Sequence, residues 1–234
     1  MSIAELGMLV NSNFNKPLNE QARELAYVGS YLFTASTAFT PEKSGWYKII
    51  VVGKGGDGHY KLGDDLWYHG GGAGGVAIAT RQLSSNDTYD ITLSATTTSS
   101  SAGTVSEEYY SSFEDIIAYN GADAYYSSSS NYNCGKGGHA VGGDFNYKGK
   151  DGASGGLSSL SKGASVGVYI PELTRATTAI ASVSYEGITY NSECGDGILG
   201  HGGTYSFTRY YYIGDSVATP LTGCVLIIPL ELEE

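Results

Sequence analysis

Glycine decides what this chain can become. It occurs in five clusters, Gly53–Gly58, Gly70–Gly75, Gly135–Gly143, Gly149–Gly156 and Gly195–Gly203. With 34 glycines in 234 residues the chain carries roughly twice the average usage. Only 41% of it is hydrophobic, so part of the core must be backbone packed on backbone. Trp46–Val52 runs straight into the first cluster. That run is a series of β-formers, too short for a buried helix and bounded by glycine, and reads as a central strand.

Gly53-Lys54-Gly55-Gly56-Asp57-Gly58 fits the spacing G-x-G-x-x-G after a strand. A dinucleotide site needs a helix next, so that its N-terminus can receive the pyrophosphate. The continuation through His59–His69 into Gly70-Gly71-Gly72 supports no helical period. A nucleotide fold is therefore set aside. The glycines read instead as rungs of a scaffold. Without Cβ atoms, polyproline-II-like segments can approach closely and pair their backbones.

Strands are expected at Tyr31–Phe39, Val76–Leu83, Tyr89–Ala95, Phe113–Asn120, Asp144–Lys148, Val166–Ile170 and Ile180–Thr189, and Tyr205–Ile213 is aromatic-rich. Ser84–Thr88 reads as a hairpin turn. Cys224–Leu230 is a last apolar run, and Pro229 suggests an edge or a terminus. Residues 1–36 differ in composition, holding only Gly7 and Gly29. Asn15 and Pro17 can start a helix, and Leu18, Ala22, Leu25 and Ala26 then share one face, so one short helix is expected near 17–27. The expected fold is all-β, with short strands alternating with glycine-rich polyproline-II-like segments and one short N-terminal helix. The expected division is an N-terminal attachment segment, 1–36, and a glycine-rich β domain, 37–234.

A net charge of −11 argues against nucleic acid or an anionic membrane as partner, because phosphate binding needs clustered Lys and Arg. No apolar run approaches the length of a transmembrane helix, so no membrane insertion is expected. No basic region followed by an apolar run follows Met1, so no signal peptide is expected. Three cysteines without framework spacing predict reduced thiols and assembly in a reducing compartment.

The aromatic surface is mostly hydroxylated, with 20 Tyr against 6 Phe. Tyr109-Tyr110-Ser111-Ser112, Tyr125–Asn133 and Tyr210-Tyr211-Tyr212 are built of Tyr, Ser and Asn, and the loop His59–His69 adds Tyr60, Trp67 and Tyr68. Tyr gives large rigid contacts at low entropy cost, while Ser and Asn adapt their hydrogen bonds, as in antibody paratopes. The candidate binding residues are Tyr60, Trp67, Tyr68, Tyr109, Tyr110, Tyr125, Tyr126, Asn131, Tyr132, Tyr210, Tyr211 and Tyr212. The bland alternative is that some of these rings pack over a thin glycine core.

Cys134, His139, Cys194 and His201 offer thiolates and imidazoles, but not at zinc-knuckle spacings. Asp64, Asp65, Asp144, Asp151 and Asp196 form no twelve-residue calcium loop. Asp64, Asp65, Glu107, Glu108, Glu114 and Asp115 could supply a hydrolytic pair, though spacing does not pair them, and neither G-x-S-x-G nor H-E-x-x-H occurs. No cofactor, no metal and no catalytic activity are expected.

Four ordered pieces carry a family resemblance. They are Phe39-Thr40-Pro41 with Gly45–Gly53, the Gly70–Gly75 cluster with strand-turn-strand after it, Gly142–Gly152, and the closing Gly223–Ile228. Together, over roughly residues 37–230, they resemble the glycine-rich domain of bacteriophage tail-fibre and receptor-binding (adhesin) proteins. Here the glycine runs are interrupted by Lys54, Asp57, His139 and Ala140, and the loops are richer in Tyr and Ser. The resemblance implies a phage or prophage protein of the virion tail tip, made in the host bacterial cytoplasm, that adheres to a host-surface glycan or protein. It implies tail-fibre or baseplate proteins as further partners. Fibre tips are often trimeric, so a homotrimer is the oligomer to test for, although no heptad stretch specifies one. The rival readings are a structural tail component without its own receptor and a surface-glycan depolymerase.

Overall fold

The computed structural model describes residues 29–61, 67–98, 102–128, 131–152, 154–155, 179–185, 188–194, 216–218 and 223–232. The expected helix at 17–27, the strand at 166–170, the aromatic-rich stretch 205–213 and the cluster at 195–203 lie outside them. Every regular element among the described residues is a strand. In chain order these are β1 (Tyr31–Phe33), β2 (Thr37–Phe39), β3 (Gly45–Val52), β4 (Gly58–Lys61), β5 (Trp67–His69) and β6 (Val76–Leu83). Next come β7 (Tyr89–Leu93), β8 (Tyr110–Phe113), β9 (Ile116–Tyr119), β10 (Tyr125–Ser128), β11 (Asn131–Asn133) and β12 (Ala140–Val141). The last are β13 (Phe145–Tyr147), β14 (Ser154–Gly155), β15 (Ala179–Tyr185), β16 (Ile188–Cys194), β17 (Ser216–Ala218) and β18 (Cys224–Leu232).

Two five-stranded antiparallel sheets face each other, ordered β1-β18-β3-β6-β13 and β12-β9-β8-β7-β2. Alternation along β3 sends Tyr47, Ile49 and Val51 inward to meet Phe39, Ile91, Phe113 and Ile116 of the second sheet. Each such side chain, fully buried, contributes about 1.5–3 kcal/mol by removal from water. On the opposite face of the first sheet, Ile50 and Val52 pack with Val76, Cys224 and Leu226.

Several boundaries differ from expectation. Tyr31–Phe39 is not one strand: β1 pairs β18 and β2 pairs β7, in different sheets. Phe113–Asn120 is split by a two-residue turn, Glu114-Asp115, between the paired β8 and β9. Glu114 sits there at φ 51°, and its carboxylate accepts the Asp90 N–H at 2.6 Å, a bond that helps hold this left-handed residue. Ser84–Thr88 does not close a hairpin, because β6 and β7 belong to different sheets. Ile180–Thr189 resolves into the antiparallel pair β15 and β16. β18 is not an edge strand but lies between β1 and β3. Pro229 is tolerated because β1 reaches only Val225–Ile227, and the ladder to β3 is irregular between Pro229 and Glu231.

Beyond one end of the two sheets, backbone packs on backbone. The stretch 53–57 leaves β3, and 70–75 returns beside it into β6, with Gly53 N–H on Gly75 O at 2.9 Å and Gly56 N–H on Gly72 O at 2.8 Å. Residues 119–124 leave β9 parallel to the first stretch, Gly121 and Ala124 each donating, at 2.8 Å, to Lys54 O and Asp57 O. Residues 134–139 return into β12, and 148–152 leave β13 along them, Gly149 and Gly152 donating at 2.8 Å to Gly138 O and Gly135 O. Bonds recur every three residues in these pairs. The glycines are obligatory where they meet carbonyls. A Cβ on Gly56 would strike the Ala122 carbonyl, and one on Gly137 the Gly149 carbonyl, both well inside 3.0 Å.

Candidate functional site

The direction of these stretches fixes where the loops go. Those at 53–57, 119–124 and 148–152 carry the chain away from the sheets, and 70–75 and 134–139 bring it back. The turns at 84–88, 114–115 and 142–144 close the opposite end. Hence β4 with β5, and β10 with β11, form at one pole, beyond the glycine stretches. There β4 and β10 lie side by side, continuing the parallel course of 53–57 and 119–124.

Seven of the twelve candidate residues lie beyond this layer at the same pole. Tyr60 is paired with Tyr68 and Lys61 with Trp67 across β4 and β5. Tyr126 is paired with Tyr132, and Asn131 with Ser128, across β10 and β11. Tyr125, half-buried, begins β10 opposite Asn133. The strands β14 and β17 flank β5 and β4 to make a four-stranded sheet. Tyr109 and Tyr110 are placed apart from this group. Both are half-buried; the Tyr109 carbonyl accepts from Asn120 N–H at 3.0 Å, and the Tyr110 ring meets Tyr119 edge-on at 6.2 Å. Tyr210, Tyr211 and Tyr212 lie outside the described residues.

Polar side chains also bond backbone groups of this layer. Asn120, 3% exposed, accepts the Lys54 N–H at 2.9 Å and donates to Ser94 O and Thr96 O at 3.2 and 2.8 Å. Three residues on, Asp123 accepts the Asp57 N–H at 2.8 Å. Asp151 accepts the Gly137 N–H and the Lys136 ammonium, each at 2.9 Å, with Lys148 at 3.4 Å. Sequence reasoning missed Asn120 and Asp123, because 119–124 holds one glycine. The available signal was the pair of polar residues three apart among the small residues Gly121, Ala122 and Ala124.

The charges follow from these contacts. Burial pushes the Asp57 carboxyl above its ordinary value; Lys54, at 3.7 Å, pulls it back, and Asp123 adds to the rise. Burial would also raise Asp151, but the Gly137 N–H, Lys136 and Lys148 outweigh it and the carboxyl is lowered. Asp144 is lowered by its bond from Arg81, with a second from the Thr80 N–H.

Of the metal candidates, His139 stacks on Tyr119 at 4.2 Å, while the Cys134 sulfur lies 3.8 Å from His69 Nδ1. Asp144 and Asp151 are engaged as above. Among the described residues no group of three or more His, Cys, Asp and Glu gathers as a metal site. Glu107, Glu108, Glu114 and Asp115 are all exposed, and Asp64, Asp65, Cys194's side chain, Asp196 and His201 lie outside the description. No protein-family model matches the chain, and no curated protein matches it.

Proposed function

We propose that this chain is a bacteriophage or prophage tail-tip protein that adheres to the host bacterial surface through Tyr- and Ser-rich loops. One observation carries the reading. The backbone layer sends β4–β5 and β10–β11 to one pole, so residues 60, 67, 68, 125, 126, 131 and 132 cluster there although far apart in sequence. The other pole fits attachment to a fibre or baseplate partner. β1 and the end of β18 meet there, Gly29 lies beside Pro229, and Trp46, Leu230 and Leu232 are exposed. Residues 1–28 join the described chain at that pole.

The glycine stretches act in this reading as polyproline-II-like helices in a lattice. The three-residue recurrence of their hydrogen bonds supports it, since that helix has three residues per turn and no internal bonds. Gly loses the most conformational freedom on folding, and the mutual hydrogen bonding offsets that cost. A rigid base suits recognition, because loops held in place lose little further freedom on binding. The ligand is a surface glycan or an exposed protein loop, and several copies on one virion would sharpen weak binding.

Incubating the protein with host cells and with purified host surface polysaccharide tests the proposal. Saturable binding with intact polysaccharide supports adhesion. Shortened polysaccharide chains would identify a depolymerase instead. Failure both to bind cells and to block infection would leave a structural tail component. Replacing Tyr125, Tyr126 and Tyr132 with Ala should abolish binding while the melting curve keeps its shape.

A further inference from the structure

One row of side chains crosses the first sheet on its outer face. Phe145, Ile78, Ile50, Leu226 and Leu32 stand opposite one another in turn across β13, β6, β3, β18 and β1. Directly paired residues share a sheet face, and all five are apolar. The centre of the row is buried, with Ile50 at 0% and Leu226 at 1% exposure, while Leu32 and Phe145 at its ends are exposed. The inner face is filled by the second sheet. Among the described strands, β8, β9 and β12 pack against β3, β6 and β18 from outside the sheet, and all three belong to that second sheet. No described strand therefore accounts for the burial of Ile50 and Leu226.

We propose that residues 17–27 form a helix that lies on this outer face and covers the centre of the row. Leu18, Ala22, Leu25 and Ala26 share one side of the helix expected there, and such a stripe needs an apolar surface to pack on. Gly29 stands at φ +78°, the left-handed conformation that glycine takes just past a helix C-terminus. Only Val28, Gly29 and Ser30 separate the helix from β1, a usual length for a connection between a helix and the strand it packs beside. With the inner face filled, the fold-back leads over the outer one. The distances agree. Leu32 lies three residues past Gly29, about 10 Å along an extended chain. Eleven helical residues span about 16 Å, so the helix reaches the level of the row. The stretches 156–178 and 195–215 adjoin β14 and β17, which flank β5 and β4 beyond the glycine stretches, and are the more distant occupants. This packing does not depend on adhesion, and its test reads packing alone.

Hydrogen exchange on the unsubstituted full chain reads the helix. The amides of residues 21–27 should exchange at least about tenfold more slowly than in an unfolded chain. Exchange at unfolded-chain rates would overturn the proposal, and this measurement needs no variant to fold. A thiol reads the position. Leu226→Cys combined with Cys224→Ala puts one thiol at the centre of the row, and maleimide labelling at position 226, followed by peptide mass spectrometry, should be slow. Adding Leu18→Asp and Leu25→Asp should speed that labelling at least about tenfold, because the charged stripe no longer stays on the apolar row. Leu25→Ala alone should speed it by at least about threefold, which serves if the aspartates also free the β3 amides to exchange. Glu20→Gln with Glu24→Gln, off the stripe, should leave it unchanged. Protected amides at 21–27 with labelling at 226 unmoved by either stripe variant would overturn the proposal and hand the face to 156–178 or 195–215.

Discussion

At Gly56 a single methyl group decides whether two backbones can meet. Its Cβ would fall on the Ala122 carbonyl, and neither partner is a flexible side chain that could swing aside. Gly56→Ala should cost about 3 kcal/mol, the upper range for forcing extra volume into a packed core. Gly29→Ala, where the new carbon meets only Pro229 Cγ at 3.7 Å but φ is +78°, should cost about 1 kcal/mol. Urea midpoints of the two variants would compare crowding with backbone strain directly. Asn120 offers a different test, since its amide serves the Lys54 N–H and two carbonyls at once. Asn120→Ala leaves those groups without that partner, and a loss of about 3 kcal/mol is expected in the same titration. Asp57 sets a pH dependence. Its carboxyl holds its proton more tightly folded than unfolded, mainly because of burial. Its contribution is therefore fully present below the ordinary carboxyl pKa of about 4 and is lost as pH rises through the raised value. Asp144 and Asp151, both lowered, act in the opposite sense and lose their contribution as pH falls through their folded values. Asp57→Asn should flatten the fall in stability between about pH 4 and neutrality, measured as the urea midpoint against pH. An unchanged slope would remove Asp57 as its source.

Among the elements, the two-sheet core and the clips at its rim should differ sharply in weight. Ile49 is fully buried between the sheets, and Ile49→Ala should cost about 3–4 kcal/mol. Asp144, exposed in the 142–144 turn, accepts from Thr80 N–H at 2.7 Å and Arg81 at 2.9 Å. Asp144→Ala should cost no more than about 1 kcal/mol, because a solvated ion pair gains little. Thermal melts of the two variants check the ratio. Apolar runs bounded by glycine or turn residues were legible in the sequence, which is why β3, β6, β7 and β13 fall within two residues of expectation. The boundary at Glu114 was not, since its left-handed conformation shows in no local pattern and is supported by Asp90, 24 positions away. Nor was the exchange of sheets after Ser84, because a turn sequence does not say which strand its successor will pair with. The backbone layer was legible only where glycine was dense. Residues 119–124 enter it with Ala at two positions and one glycine, and their role emerges only from neighbours some 50 to 70 positions earlier, such as Gly72 and Lys54.

For the molecule as a whole, the consequence is polarity. Short turns close one end, and β4–β5 and β10–β11 stand at the other; in the proposed reading recognition and attachment would occupy these opposite poles. None of this is visible in sequence order, where Tyr60, Tyr126 and Tyr132 are scattered; which stretches lie parallel decides it. Lengthening a loop costs only about 0.6 kcal/mol per doubling, since closure entropy grows with the logarithm of length. A ten-residue Gly-Ser insertion between Ser129 and Ser130 lengthens a two-residue connection about sixfold and should thus lower the melting temperature by only about 3–6 °C. In the proposed adhesin the same insertion should abolish binding to host cells, because it sets a long, unstructured excursion at the tip of the hairpin that carries Tyr126 and Tyr132. A carrier protein fused before Met1 should leave binding intact, since the described chain enters at Gly29, beside Pro229 at the other pole. The insertion variant and the fusion make opposite predictions in one cell-binding assay. Loss of binding only in the fusion would invert the polarity. Full binding by the insertion variant would move recognition away from β10 and β11. Loss of binding with a collapsed melting curve would show that the hairpin is part of the folded core rather than a loop displayed upon it.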